Sequence, residues 1–272
     1  MIKKSNLPIH VAIIPDGNRR WAKEHNLPTF EGHRRGYNVA NKIAKHAHKM
    51  GIPILTYWAF STENWLRIKE EVGYLMKLFE KGINQHLKEA LVDQVRIIHI
   101  GRKDHISSSL RTKIEEAEKK TKHFDKKYLV IALDYGGRDE IDRVINRIMN
   151  YELRIKNNES KMQNFPLRPS DFEGRAEFRI KNLEIGRQKT EIRNQKTEIN
   201  NLNQYLDTKD LPQQEPDLII RTGGEKRTSG FMLWQSEYSE YEFVDKLFPD
   251  FTIDDFEKAI KDYQERKRRF GK

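Results

Sequence analysis

The chain has 272 residues, 36% of them hydrophobic and 34% charged, and its Lys and Arg outnumber Asp and Glu 51 to 41, for a net charge of +10. It contains no cysteine, which excludes disulfides and thiol catalysis, and no run of about 18 apolar residues, which excludes a membrane-spanning helix. A cytoplasmic protein with anionic partners is expected, in peripheral contact with an acidic membrane surface at most.

Strands and helices alternate along the chain. "HVAII" (10–14), "ILTYWAF" (54–60), "VRIIHI" (95–100), "YLVIALDY" (128–135) and "DLIIRT" (217–222) predict strands. Their near-continuous apolar character suits strands covered on both faces. Helical patterns fall near 33–50, 70–92, 106–123, 138–150 and 253–268. Repeated strand–helix units of this kind predict an α/β fold, an open and mainly parallel sheet flanked by helices. The first apolar run is cut short by Pro8, His10 and the following "PDGNRR", which argues against a signal peptide.

One stretch breaks the alternation. Residues 151–212 are polar, and "GRQKTEI" (186–192) is followed by the near copy "RNQKTEI" (193–199). Ile185, Ile192 and Ile199 repeat every seven residues, too few heptads and too few apolar positions for a coiled coil. The expectation is a single domain over 1–272 carrying a polar insertion at 151–212.

Ligands of open α/β sheets sit beyond the carboxyl ends of the strands. Those ends are polar here. The first strand leads into Asp16-Gly17-Asn18-Arg19-Arg20, and the second into Ser61-Thr62-Glu63-Asn64-Trp65 with Arg67. The fourth leads into "DYGGR" (134–138) and the fifth into "RTGGEKRTS" (221–229). Glycines let backbone N–H groups approach phosphate, and arginines offer charged forks matched to its oxygens. A lone Asp among such cations suits a Mg²⁺ ligand, since Mg²⁺ is held by one or two carboxylates together with substrate phosphates. Singly, "DG" is an ordinary turn, His33 an ordinary structural histidine, and Trp21 and Trp65 ordinary core aromatics. Their coincidence at four strand ends points to a metal-assisted diphosphate cradle. Neither G-x-G-x-x-G nor a P-loop occurs.

The motifs "HVAIIPDGNRRWA", "GHRRGYN", "TYWAFSTENWLR" with "EEV", "ALDYGGRDEI" and "DLIIRTGGEKRTSGFMLWQSEYSEYEF", closed by "RRFGK", resemble the cis-prenyltransferases, which include undecaprenyl diphosphate synthase. The resemblance covers nearly the whole chain apart from the insertion. It implies Mg²⁺-dependent condensation of isopentenyl diphosphate with an allylic diphosphate such as farnesyl diphosphate. The product would be a polyprenyl diphosphate, precursor of a lipid carrier for cell-envelope glycan synthesis.

The resemblance also assigns roles. Asp16 and Asn64 would be catalytic, Asn64 at the position the family gives to proton removal. Asp16 and Glu240 would hold Mg²⁺. Gly17, Asn18, Arg19 and Arg20 would cradle the allylic diphosphate, with Trp21 and His33 nearby. Ser61 and Glu63 would lie near the reacting carbons with Asn64, and Thr62 and Trp65 would bind substrate. Arg67, Arg221, Arg227 and Ser229 would bind isopentenyl diphosphate, and Thr228 would bind substrate. Arg269 and Gly271 would complete a neighbouring subunit's site, implying a homodimer. The helix at 70–92 would line an apolar product tunnel with Val72, Leu75, Met76, Phe79, Ile83 and Leu87. Thr29 stands where the family commonly has an arginine, with Arg34 or Arg35 nearest to supply that charge.

Three other readings compete. A non-catalytic accessory subunit should lack the site carboxylate and several arginines, all of which are present. A nucleic-acid-binding protein should concentrate its basic residues on one stripe, whereas here they are interleaved with acids. An all-helical trans-type prenyl synthase would need D-D-x-x-D motifs, and Asp254-Asp255 leads instead into "FEKAI".

Overall fold

The structure, a computed structural model, describes residues 6–163 and 202–266, with side chains for 6–150 and 202–266. The chain divides into two compact units, 1–139 with 210–272 and 140–209.

The first unit is built on six strands: β1 (His10–Ile14), β2 (Ile54–Ser61), β3 (Val95–Ile100), β4 (Lys127–Tyr135), β5 (Leu218–Arg221) and β6 (Glu240–Phe243). They lie in the order β3-β4-β2-β1-β5-β6, and every neighbouring pair is parallel. Alternation along β1 explains its unbroken apolar run. Val11 and Ile13 join a core shared with the helices, while Ala12 and Ile14 join a second core on the other face with Phe231 and Met232. The sixth strand, "EYEF", is four residues long and half-buried, too short and polar to stand out in the sequence.

The helices are α1 (Asn18–Glu24), α2 (Thr29–Met50), α3 (Lys69–Asp93), α4 (Ser108–Thr121), α5 (Gly137–Gln163) and α6 (Ile253–Glu265). Ser107 caps α4 through the Leu110 N–H at 3.2 Å, and Thr252 with Asp255 forms a reciprocal capping box on α6. Gly51, at φ +101°, stops α2. The sequence reading ended the fifth helix at 150, but α5 runs on to Gln163 because no glycine or proline interrupts 138–163. Within the second unit, Asp207 accepts from Arg143 at 2.7 Å and Arg147 at 2.9 Å. The heptad-like repeat at 185–199 lies outside the described residues.

Candidate active site

The loop after β1 has a conformation its sequence compels. Gly17 sits at φ +106°, and a β-carbon there would meet Leu247 Cδ2 at 2.8 Å, so no other residue fits without strain. Asn18 then opens α1, its side-chain N–H donating to the Pro15 carbonyl at 2.9 Å. Gly32 and Gly36, one turn apart on α2, let that helix pass directly against the loop. A β-carbon on Gly32 would lie 2.0 Å from the Asn18 carbonyl oxygen, and one on Gly36 2.1 Å from Asn18 Oδ1. These two glycines shape the site, and their i, i+4 spacing in "GHRRG" was the signal for it.

Asp16 is held between cations. Its Oδ2 accepts from Arg221 Nη2 at 2.8 Å, and its Oδ1 accepts the Gly17 N–H at 2.6 Å with Arg20 Nη2 at 3.5 Å. Arg221 is buried at the end of β5, where its other branch donates to Ser229 Oγ at 2.8 Å and the Arg227 carbonyl at 2.5 Å. Thr222, fully buried, ties the Asp16 carbonyl at 2.9 Å, a role the sequence reading did not assign. Below them Glu71, also unassigned, rises from the first turn of α3. Its carboxylate lies 3.0 Å from Arg67 Nη1, 3.0 Å from His33 Nε2 and 3.7 Å from Arg19 Nε. Burial pushes the His33 imidazole below its ordinary pKa while Glu71 pulls it back up. Burial lowers Arg67 too, again against Glu71.

Asp16, Gly17, Asn18, Arg19, Arg20, His33, Ser61, Asn64, Arg67, Arg221 and Ser229 line one cleft of about 860 Å³. Lys23 and Thr29 line it as well, so Lys23 supplies charge beside Thr29. Arg34 and Arg35 do not: Arg34 pairs with Glu31, and Arg35 reaches Asp250 while stacking over Trp21.

Several expected site residues are turned elsewhere. Trp21 is buried, donating to Asp250 at 2.8 Å and stacking on His25. Thr62 packs against Gly136, and Glu63 is exposed away from the cleft. Trp65 donates to buried Asp134 at 2.8 Å. Arg227 extends toward solvent and pairs with Glu225, and Thr228 does not line the cleft. Glu240 does not meet Asp16 within one chain. It pairs in register with Leu218, which pairs with Val11, five residues before Asp16, and it accepts from Arg266 at 3.0 Å. Arg269 and Gly271 lie outside the described residues.

Asn64 has a constrained polarity. Its Oδ1 accepts the Ser61 N–H at 3.2 Å in a capping box, which leaves the amide N–H₂ for other partners. The group is a donor in this setting, not a proton acceptor.

At Ala59 the cleft adjoins an apolar cavity of about 90 Å³ under α2 and α3. Phe79 and Ile83 of the expected face line it, whereas Leu75 lines the charged cleft, and Val72, Met76 and Leu87 pack on the core beside it.

Among the described residues no three His, Asp or Glu side chains converge as a metal cluster. Asp16, one carboxylate a third exposed beside Arg20 and Arg221, fits an ion whose coordination is completed by phosphate oxygens.

Residues 14–271 match the prenyltransferase family model described as undecaprenyl diphosphate synthase. The chain is 42% identical to an isoprenyl transferase of Thermotoga maritima, over 97% of each protein. It is 38% identical to the ditrans,polycis-undecaprenyl-diphosphate synthase ((2E,6E)-farnesyl-diphosphate specific) of Micrococcus luteus, over 99% of this chain and 94% of that one. Among solved structures it resembles lavandulyl diphosphate synthase from Lavandula x intermedia in complex with dimethylallyl diphosphate. That likeness has a TM-score of 0.77 and 32% identity, and covers 98% of this chain and all of the other.

Proposed function

The chain belongs to the undecaprenyl diphosphate synthase family of cis-polyprenyl transferases, and we propose that it condenses isopentenyl diphosphate with an allylic diphosphate, farnesyl diphosphate or similar, in a Mg²⁺-dependent reaction. One observation carries this reading. A cleft with Arg19, Arg20, Lys23, Arg67 and Arg221 on its wall, and Asp16 as its lining carboxylate, adjoins an apolar cavity at Ala59. A diphosphate with a hydrocarbon tail matches both halves.

In this reading the allylic carbon–oxygen bond breaks with its electron pair leaving on the diphosphate. The isopentenyl double bond supplies the electrons of the new carbon–carbon bond, and a proton is lost to restore a double bond. Arg19 and Arg20 stabilise the departing charge where it develops, and Arg67, Arg221 and Ser229 hold the second diphosphate. A bound Mg²⁺, held by Asp16, would neutralise phosphate charge and so ease departure. Asn64 orients substrate through its N–H₂, and the proton goes to a phosphate oxygen or water. The two diphosphate sites together hold the reacting carbons within about 3–3.5 Å.

The resemblance further suggests a homodimer, with Arg269 and Gly271 finishing the partner's site, and a product that serves as a lipid-carrier precursor. Among the described residues no helix is long and apolar enough to cross a membrane. Delivery of a long product would then use peripheral contact, helped by the net positive charge.

The test is incubation of the protein with farnesyl diphosphate, labelled isopentenyl diphosphate and Mg²⁺, with an EDTA control, and separation of products by length. A metal-dependent polyprenyl ladder is expected. No product from farnesyl, geranyl or geranylgeranyl starters would overturn the reading in favour of an accessory subunit.

A further inference from the structure

The sheet edge opposite the cleft combines bare apolar side chains with unpaired lysines. All six strands are parallel, so their amino ends share this edge. Val95 pairs with Lys127, Tyr128 with Ile54, and Ile54 with His10, so the segments that feed β3, β4 and β1 enter at one level. Val92, in the last turn of α3 just before β3, is 82% exposed. Leu91 beside it is 44% exposed, and Ile9, just before β1, 48%. Scattered apolar residues are ordinary on a surface, but these occur among lysines.

Lys45 and Lys49 lie near the end of α2, and Lys122, Lys126 and Lys127 between α4 and the start of β4. Two of the five are engaged locally, Lys45 with Glu89 at 3.1 Å and Lys127 with the Asp93 carbonyl at 3.1 Å, at the end of α3. Lys49, Lys122 and Lys126 are exposed and pair with no carboxylate among the described residues. Toward β5 the edge turns acidic at Glu215 and Asp217, which confines the basic surface to the β3–β4 corner. Between α2 and α3 this corner is concave, a groove of about 370 Å³ lined by Lys45, Lys49 and Lys127 together with Ala90 and Val95.

We propose that this corner is a membrane-docking face, on which Leu91 and Val92 enter the interfacial layer of an anionic leaflet while Lys49, Lys122 and Lys126 meet lipid phosphates. Each lysine near such a surface raises binding about fivefold, and the two side chains add the gain of leaving water. A polynucleotide would use the lysines, but exposed aliphatic side chains offer it no surface on which bases stack. The cleft lies at the carboxyl ends of the strands, so a docked chain keeps it open to water. The face stands on its own charge and exposure, and its use in handing over a hydrocarbon product rests on the prenyl-transfer reading above.

The test is co-sedimentation of the full chain with vesicles of phosphatidylglycerol and phosphatidylcholine in equal parts, or of phosphatidylcholine alone, at about 0.1 M salt. The wild type should bind the anionic vesicles and not the neutral ones. Lys49→Gln with Lys126→Gln should weaken binding about 25-fold, two lysines at about fivefold each. Lys77→Gln with Lys81→Gln removes the same charge from exposed positions in the middle of α3 and should weaken it less than about twofold. Because the chain has no cysteine, Val92→Cys accepts a single environment-sensitive dye. Its emission should shift to the blue on anionic vesicles, and that of a dye at Lys77→Cys should not. Circular dichroism checks the fold of each variant. Equal binding by the two lysine pairs, or a dye at position 92 that stays in water, overturns the face. A wild type that ignores anionic vesicles overturns it too, and its retention on heparin would assign the lysines to another polyanion. None of these outcomes alters the product ladder, which tests the prenyl-transfer reading separately.

Discussion

The cleft and the interior behind it treat the same residue types in opposite ways. Asp16 in the cleft is a third exposed and has Arg221 and Arg20 on its two oxygens. Asp134, fully buried at the end of β4, has the Trp65 N–H on one oxygen and the His105 ring 3.1 Å from the other. His33 in the cleft faces the Glu71 carboxylate, whereas His86 at the cavity wall faces a tyrosine ring. At Asp16 charge meets countercharge. At His86 and Asp134 burial outweighs the partner and favours the neutral form. A diphosphate and a hydrocarbon tail need this contrast side by side.

The largest expected effect comes from removing charge where the cleft uses it. Asp16→Ala should lower turnover by about 10³-fold or more, roughly 4 kcal/mol of transition-state stabilisation. The fold should survive, since Arg221 keeps Ser229 Oγ and the Arg227 carbonyl as acceptors. Steady-state assay with circular dichroism checks both halves. A fully active variant would place the metal-binding carboxylate elsewhere.

Forcing charge into the interior should have the next largest effect, and pH does this without mutation. His10 is fully buried at the start of β1, its Nε2 2.7 Å from Thr56 Oγ1, and burial lowers its pKa to about 4 despite Asp217 nearby. The unfolded chain therefore takes up this proton first. Stability from His10 is complete above its ordinary value of about 6.5 and is lost as pH falls toward 4, by about 3 kcal/mol at full protonation. His86, His33 and His48, all lowered chiefly by burial, act in the same direction. Urea midpoints between pH 7.5 and 4.5 should fall steadily, and His10→Gln should flatten part of that slope. A flat wild-type profile would mean these imidazoles are better hydrated than their burial implies.

The same contrast explains what was legible in the sequence. The strand cores of β1 and β3 were read to the residue, because strands covered on both faces must be apolar throughout. The cleft was legible because charge needs only short-range placement: Asp16, Arg20 and Arg221 each follow or end a strand. Side-chain direction was not legible. Trp21, Glu63 and Arg227 share segments with cleft residues yet turn away, since helix and turn periodicity sends neighbours to different sides. Glu240 escaped for a related reason, because its position depends on the register of a short strand that the pattern did not reveal. The cavity was least legible. Its wall draws Tyr37 and Asn41 from α2, Gly82 and His86 from α3, and strand residues from β2, β3 and β4. No local pattern marks such a convergence, and only the apolar face of α3 hinted at it.

The smallest expected effect tests the interior at a single oxygen. Asp134 sits at φ +53°, a conformation that Asp and Asn tolerate better than most residues. Burial raises its pKa, opposed by the Trp65 hydrogen bond and by His105. A carboxyl raised in the fold contributes its stability at low pH and loses it as pH rises through the folded value. At neutral pH the charge is thus a burden that Asn would not carry. Asp134→Asn keeps an acceptor for Trp65, and its N–H₂ faces the His105 ring. The variant should equal or exceed the wild type in urea midpoint at pH 7.5, within about 1 kcal/mol, with the gap closing as pH falls toward 4. Turnover should change little, because the Trp65 bond that anchors the Ser61–Asn64 turn is retained. If Asp134→Asn instead destabilises the fold at pH 7.5, attraction to His105 outweighs burial there, and the interior tolerates a paired charge much as the cleft does.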